Sequence, residues 1–245
     1  MKISIITASF NSEATILDSV YSLKTQIYEN IEHVLIDNNS ADQTVHLVRS
    51  NGIANTVIVS EQDTGIYNAL NKGIEVATGD IIGFLHSDDF YLCNKTLSAV
   101  ADVFESEVCD VVYGDLDYIS RKNGTSVRRW RTRNYKKFWL KFGWMPPHPA
   151  VFVRRDAFNK IGLFDESYKI SGDYEFILRL FFRNNSKAVH SPNVKIGMRL
   201  GGVSNKSFGN IILKMSEDVR AMKSHGINPW LGIIGKNLSK LRQFM

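Results

Sequence analysis

Residues 3–113 alternate short apolar runs with stretches whose apolar residues recur every three to four positions, and this pattern constrains the fold most. The runs 3–7, 31–37, 56–60, 80–85 and 110–113 have the length of strands buried on both faces. Between them, 13–25 places Ile16, Leu17, Val20 and Leu23 at helical spacing, and 66–77 does so with Ile66, Ala69, Leu70, Gly73, Ile74 and Ala77. Shorter helices are expected over 42–49 and 95–104. Such alternation folds as an α/β domain, a mostly parallel sheet flanked by helices.

The second half changes character. From Tyr118 to Arg155 there is no Asp or Glu, while eleven Lys and Arg alternate with Trp130, Tyr135, Phe138, Trp139, Phe142 and Trp144. Beyond it the spacing predicts a helix over 176–182, a strand over 194–200 and a helix over 211–224. The tail 230–244 is amphipathic, with Leu231, Ile234, Leu238 and Leu241 set against Lys236, Lys240 and Arg242.

Several classes are excluded at once. No run of 18 apolar residues exists, so no segment is long enough to span a bilayer as a helix, and the five-residue run after Met1-Lys2 is too short for a signal-peptide core. The two cysteines, Cys93 and Cys109, have no metal-ligand spacing and read as buried free thiols of a reducing compartment. There is no G-x-x-x-x-G-K-[ST] loop and no G-x-G-x-x-G after the first strand, which disfavours P-loop NTPases and dinucleotide oxidoreductases. A net charge of +5 favours anionic ligands or surfaces.

Polar residues gather at the strand ends: Thr7-Ala8-Ser9-Phe10-Asn11, Asp37-Asn38-Asn39-Ser40, Glu61-Gln62-Asp63 and His86-Ser87-Asp88-Asp89. In an open parallel sheet these ends lie along one edge, where such folds bind ligands. Asp and Asn also begin turns and cap helices, which suffices for Asp42 and Ser12. It does not suffice for Asp88-Asp89, because adjacent carboxylates repel unless a cation or donors share them. Such a pair is the hard-oxygen site that Mg²⁺ or Mn²⁺ prefers, with substrate phosphates completing the shell.

These motifs together resemble the inverting glycosyltransferases of family 2, which have the GT-A fold. The resemblance covers about residues 2–205. It rests on the four strand-end clusters, on Asp63-Thr64-Gly65-Ile66-Tyr67-Asn68-Ala69-Leu70-Asn71-Lys72-Gly73, and on Ser171-Gly172-Asp173-Tyr174-Glu175. The Asp63–Gly73 stretch most resembles bacterial enzymes building O-antigen, capsule or colanic-acid-like exopolysaccharide.

The resemblance implies a GT-A domain over 1–205, with a nucleotide-sugar half over 1–117, an acceptor half over 118–205 and a C-terminal helical extension over 206–245. It places Thr7, Ala8 and Phe10 beside the nucleotide base, Asp37 on the base ring and Asp63 at the wall of that pocket. Asp88 would meet ribose or metal, and Asp89 would be the metal ligand. Ser87 stands where the family's first carboxylate would fall, so metal binding rests on Asp89. Asp173 would be the general base; it also reads as the N-cap of the following helix. His148, held between prolines, is a candidate beside the acceptor, and Arg199 a candidate for the diphosphate.

The implied reaction moves a sugar from a nucleotide-diphosphate donor, UDP-linked, to a saccharide or polyprenyl-diphosphate-linked acceptor, with Mn²⁺ or Mg²⁺ assisting. The implied setting is cytoplasmic, at the inner face of the membrane. The basic aromatic stretch 121–141 reads as a groove for an anionic lipid-diphosphate acceptor; no nucleic-acid module surrounds it. For the tail, docking onto the sheet domain or homodimerisation is favoured over a membrane contact, because its apolar face is narrow. Two rivals stay open: a non-catalytic saccharide- or lipid-binding relative, and a sugar nucleotidyltransferase. The latter lacks support in residues 7–12, which hold neither Gly nor a basic residue.

Overall fold

Strand β1 (Ile3–Ser9) is buried along almost its whole length, and its alternate side chains feed two cores. Ile6 joins Val34, Ile36, Ile82 and Phe84 on one face, while Ile3 and Ile5 join Leu23, Ile81, Leu97 and Phe152 on the other. The period-2 geometry of a strand requires this division. The computed structural model describes residues 1–184, 186–201, 208–241 and 243.

In chain order, β1 is followed by α1 (Ile16–Lys24), β2 (Ile31–Asp37), α2 (Thr44–Asn51), β3 (Thr56–Ser60), α3 (Ile66–Val76) and β4 (Ile81–Phe84). Then come β5 (Asp89–Tyr91), α4 (Thr96–Ser106), β6 (Val111–Ile119), β7 (Ser126–Trp130), α5 (Lys137–Leu140), β8 (Val151–Arg154) and α6 (Phe158–Ile161). Helix α7 (Gly172–Leu178) runs into a wide π-type turn over Arg179–Arg183, and β9 (Ala188–Arg199), α8 (Phe208–Ser224) and α9 (Pro229–Leu241) follow.

The strands form one sheet in the order β3-β2-β1-β4-β8-β6-β9-β5, with β7 added on β6. Strands β1 to β4 pair in parallel. Strand β8 runs against both β4 and β6, β9 runs along β6, and β5 and β7 are antiparallel to their partners. Six of these nine strands therefore point one way, and the ends of β1–β4 share an edge. Helix α3 lies tightly on β1: a Cβ at Gly73 would come 2.4 Å from Ile6 Cγ2.

At the opposite edge, Glu32 accepts hydrogen bonds from Lys2, Ser4 and Thr78. Burial raises its carboxyl, but these donors outweigh that and hold it down to about 2.

Four features differ from the sequence reading. Strands β5, β7 and β8 were not expected, and β6 extends to Ile119. The expected division after residue 117 falls inside β6, and the boundary at 205, with the Gly202-Val203-Ser204 part of its loop, lies outside the described residues. Cys109 is buried, but Cys93 is exposed in the turn before α4, where its Sγ faces the Lys95 N–H at 3.4 Å. Helix α9 docks through its small face, with Leu231, Ile234 and Leu238 turned outward. The side chains of Lys240, Leu241 and Arg242 lie outside the described set.

Candidate active site

The polar clusters beyond β1–β4 make one side of the site. Thr7 is fully buried, with its hydroxyl 3.1 Å from His33 Nε2, so its side chain is turned into the sheet. Ala8 is half-buried and Phe10, just past the strand, is 59% exposed. The Asp37 carboxylate has no exposed surface: Oδ1 accepts from the Ser9 and Ser40 hydroxyls at 2.8 and 2.6 Å. Its Oδ2 accepts from the Ser40 N–H and the Ser60 hydroxyl, both at 2.8 Å. Asp37 thereby ties together the ends of β1, β2 and β3, and little acceptor capacity is left over.

Asp63 is half-buried. Its N–H donates to Asn38 Oδ1 at 2.8 Å, and its Oδ1 accepts from the Gly65 N–H at 2.9 Å. Burial raises its carboxyl despite that bond and Lys72. Gly65 has φ +141°, a conformation that suits glycine and turns the chain into α3.

Asp88 pairs with Arg121 Nη2 at 3.0 Å, while Arg121 Nε donates to the Leu200 carbonyl. Asp89 differs sharply. It is 1% exposed, and neither carboxylate oxygen has a hydrogen-bond partner. Burial drives its carboxyl well above the usual range, Asp88 adds to that, and Arg199 opposes it. Arg199 itself pairs with Asp18 and lies over the Phe90 ring at 4.9 Å.

The other side is the segment 164–173, clamped from two directions. From α3, the Tyr67 hydroxyl donates to the Ile170 carbonyl at 2.7 Å, and Asn71 exchanges hydrogen bonds with the Phe164 backbone. From α8, the Glu217 carboxylate accepts the N–H groups of Lys169, Ile170 and Ser171 at 2.8–2.9 Å. Asp173 follows at once. The helix cap is Ser171, not Asp173, which sits inside the first turn, where the helix dipole favours a carboxylate. Burial raises the Asp173 carboxyl, while Lys214, Lys236 and the Tyr174 N–H pull it back.

The two sides face common neighbours. His86 feels the charges of both Asp88 and Asp173, and burial still keeps it lowered. Tyr118 feels both Asp89 and Asp173. His148 is packed against Phe84, His86 and Phe164, with centroids 5.0–5.9 Å apart, and neither ring nitrogen has a partner. Burial, aided by His86, pushes it down to about 3, so it is neutral at physiological pH. That setting suits packing rather than proton transfer.

Among the described residues no three His, Cys, Asp or Glu side chains form a ready-made metal cage. The partnerless Asp89 carboxylate next to Asp88 nevertheless fits a divalent cation of the kind that takes one or two carboxylates and completes its shell with water and phosphate oxygens.

The family model for glycosyl transferase family 2 matches residues 4–162, well over half of the chain. The chain belongs to glycosyl transferase family 2. It is 31% identical over 217 residues to a Mycobacterium tuberculosis protein named PGL/p-HBAD biosynthesis glycosyltransferase, covering 86% of this chain and 82% of that one. The fold is that of S. aureus TarS 1–349 in complex with UDP-GlcNAc: TM-score 0.69 at 19% identity, over 100% of this chain and 73% of that one. It is also that of the mannosyltransferase PcManGT from Pyrobaculum calidifontis, solved with GDP-Man and Mn²⁺, at TM-score 0.64 and 15% identity, over 97% and 72%. The protein is thus a glycosyltransferase of GT-A type, and no helix among its described residues is long and apolar enough to cross a membrane.

The matched family region stops before Asp173 and before every residue of α7, α8 and α9. Glu217 and the pair Asp218–Lys236 were not foreseen from the sequence. Their partners are backbone N–H groups and an aromatic face, which leave no spacing to read.

Proposed function

We propose that this glycosyltransferase moves a sugar from a UDP-linked donor to a hydroxyl of a saccharide or polyprenyl-diphosphate-linked acceptor, with inversion at the anomeric carbon. The observation that carries the proposal is that two unlike carboxylates, Asp89 and Asp173, both act on Tyr118, while Asp88 and Asp173 both act on His86. Asp89 is buried with no partner of its own, and Asp173 is held half-buried on the opposite side.

Asp173 accepts the proton of the acceptor hydroxyl as its oxygen bonds to the anomeric carbon. The bond from that carbon to the diphosphate breaks, and the nucleoside diphosphate leaves with the electron pair. A carboxyl that burial raises from its ordinary value is better matched to this work than a surface Asp. Asp89, with Asp88, would hold Mn²⁺ or Mg²⁺, which when bound neutralises charge on the departing diphosphate. Ala8, Phe10, Asp63 and the Asp37-tied turn border the base; the acid-free stretch 121–141 receives an anionic acceptor.

Asp173→Asn tests this reading. It should nearly abolish release of UDP in the presence of acceptor, while the upward melting shift given by UDP with Mn²⁺ persists. Undiminished turnover would remove Asp173 as the base. A melting shift with GDP, CMP or dTDP but not UDP would change the donor.

A further inference from the structure

Helix α9 packs with its large apolar face outward. Its small residues meet the protein: a Cβ at Gly232 would lie 2.5 Å from Met222 Sδ, and one at Gly235 2.2 Å from the Phe142 carbonyl oxygen. Lys236 shares that inner face, paired to Asp218 at 2.7 Å. Trp230, Ile234 and Leu238 repeat every four residues with Leu231 beside them, a single stripe along the helix. All four are exposed, Trp230 to 77%.

A further exposed aromatic lies on α5, which leads into the Phe142 that the inner face of α9 touches. Phe138 is exposed, and its ring lies 4.9 Å from that of Phe142, the residue on which Gly235 rests. Lys136, Lys137 and Lys141 around it are exposed. No Asp or Glu occurs in 118–155 or after Asp218, so the segments that build this face carry no negative side chain at the surface. An exposed apolar stripe of this kind marks an interaction surface.

We propose that the outer face of α9, with Phe138 and the lysines of α5, docks on an anionic lipid bilayer. Charge selects this occupant over a second copy of the chain. A two-fold contact would set the same cationic rim against itself, whereas anionic headgroups oppose it and the acyl boundary takes the apolar stripe. With 13 residues, α9 is suited to lying in the interface and is too short to span. Its inner face carries Lys236, which acts on Asp173. A helix about 10–12 Å across would thus hold the proposed base close above the headgroups, where a lipid-linked acceptor presents its sugar. Only that last step rests on the transfer mechanism proposed above.

Co-sedimentation of the full chain with vesicles tests the docking. It should bind vesicles of equal parts phosphatidylglycerol and phosphatidylcholine, ignore phosphatidylcholine alone, and be released by salt. The combined variant Trp230→Gln, Leu231→Gln, Ile234→Gln and Leu238→Gln should bind about tenfold or more weakly with its melting temperature preserved, since these side chains touch solvent rather than core. No binding to phosphatidylglycerol vesicles, or equal binding by the variant, would overturn the proposal. So would a dimer in light scattering that the same variant dissolves, which would assign the face to a second copy. Vesicle binding needs neither donor nor acceptor, so its failure would leave the transfer reading standing.

Discussion

Asp89 shows how much one residue can carry. An ionised carboxylate with 1% exposure and no hydrogen-bond partner is costly to fold, by about 1–3 kcal/mol or more. Folding raises its carboxyl from the ordinary 3.8, so the folded state keeps a proton that the unfolded chain gives up. Stability is then fullest below about pH 4 and drains away as pH climbs through the raised value. Asp89→Asn imitates the protonated form. In the absence of nucleotide it should melt higher than the parent at pH 7, by about 2–4 °C per kcal/mol in a domain this size. The gain should vanish near pH 4. A pair of pH-resolved melting curves measures it, and a lower melting point at pH 7 would mean that the carboxylate is satisfied in solution. The pairing Asp88-Asp89 was legible in the sequence because two adjacent like charges need a reason. Its burial was not, since the covering residues come from distant elements.

At the scale of elements, β1, β2 and β4 were legible because buried strands are rich in β-branched and other apolar residues, as in Ile3–Ser9 and Ile31–Asp37, even where a polar residue such as Glu32 or His33 intervenes. Strand β6 was read short because Asp115 and Asp117 interrupt it. In the fold, burial raises Asp115, but hydrogen bonds from His190 and Thr132 outweigh it and leave the carboxyl low. A charge inside a strand is acceptable once partners far along the chain supply donors, and no local pattern announces them. The clamp on 164–171 has the same character. Tyr67 and Asn71 stand in the resemblance motif, yet their task is to hold a backbone nearly a hundred residues away. Glu217→Gln leaves one carbonyl oxygen for the three N–H groups that the carboxylate now satisfies. It should cut kcat about tenfold or more by loosening the segment that delivers Asp173, while KM for the donor stays put. Steady-state kinetics separates the two; a change confined to donor KM would assign Glu217 to the donor side.

On the whole-molecule scale, the helices beyond the matched family region carry the proposed base and the charges around it. Lys236 lies on α9 with its ammonium over the Tyr174 ring at 3.9 Å, pairs with Asp218 of α8, and pulls Asp173 of α7 downward. Burial lowers the lysine's own proton affinity, and Asp218 restores part of it. The same helix offers its opposite face to solvent, so one helix carries both the exposed stripe and the lysine that acts on the proposed base. Lys236→Gln removes a cation from beside Asp173. The carboxyl must then rise further, so the free enzyme needs a higher pH before the proposed base is ionised. The acidic limb of the kcat/KM profile should move to higher pH, with activity recovering toward the parent's on the alkaline side. Asp218 loses its partner in the same variant, so a lower melting temperature is expected as well. Melting alone reports that structural loss; the displaced acidic limb reports the coupling to Asp173. A variant that melts lower with its acidic limb unmoved would confine Lys236 to packing and leave the proposed base tuned by Lys214 and the Tyr174 N–H.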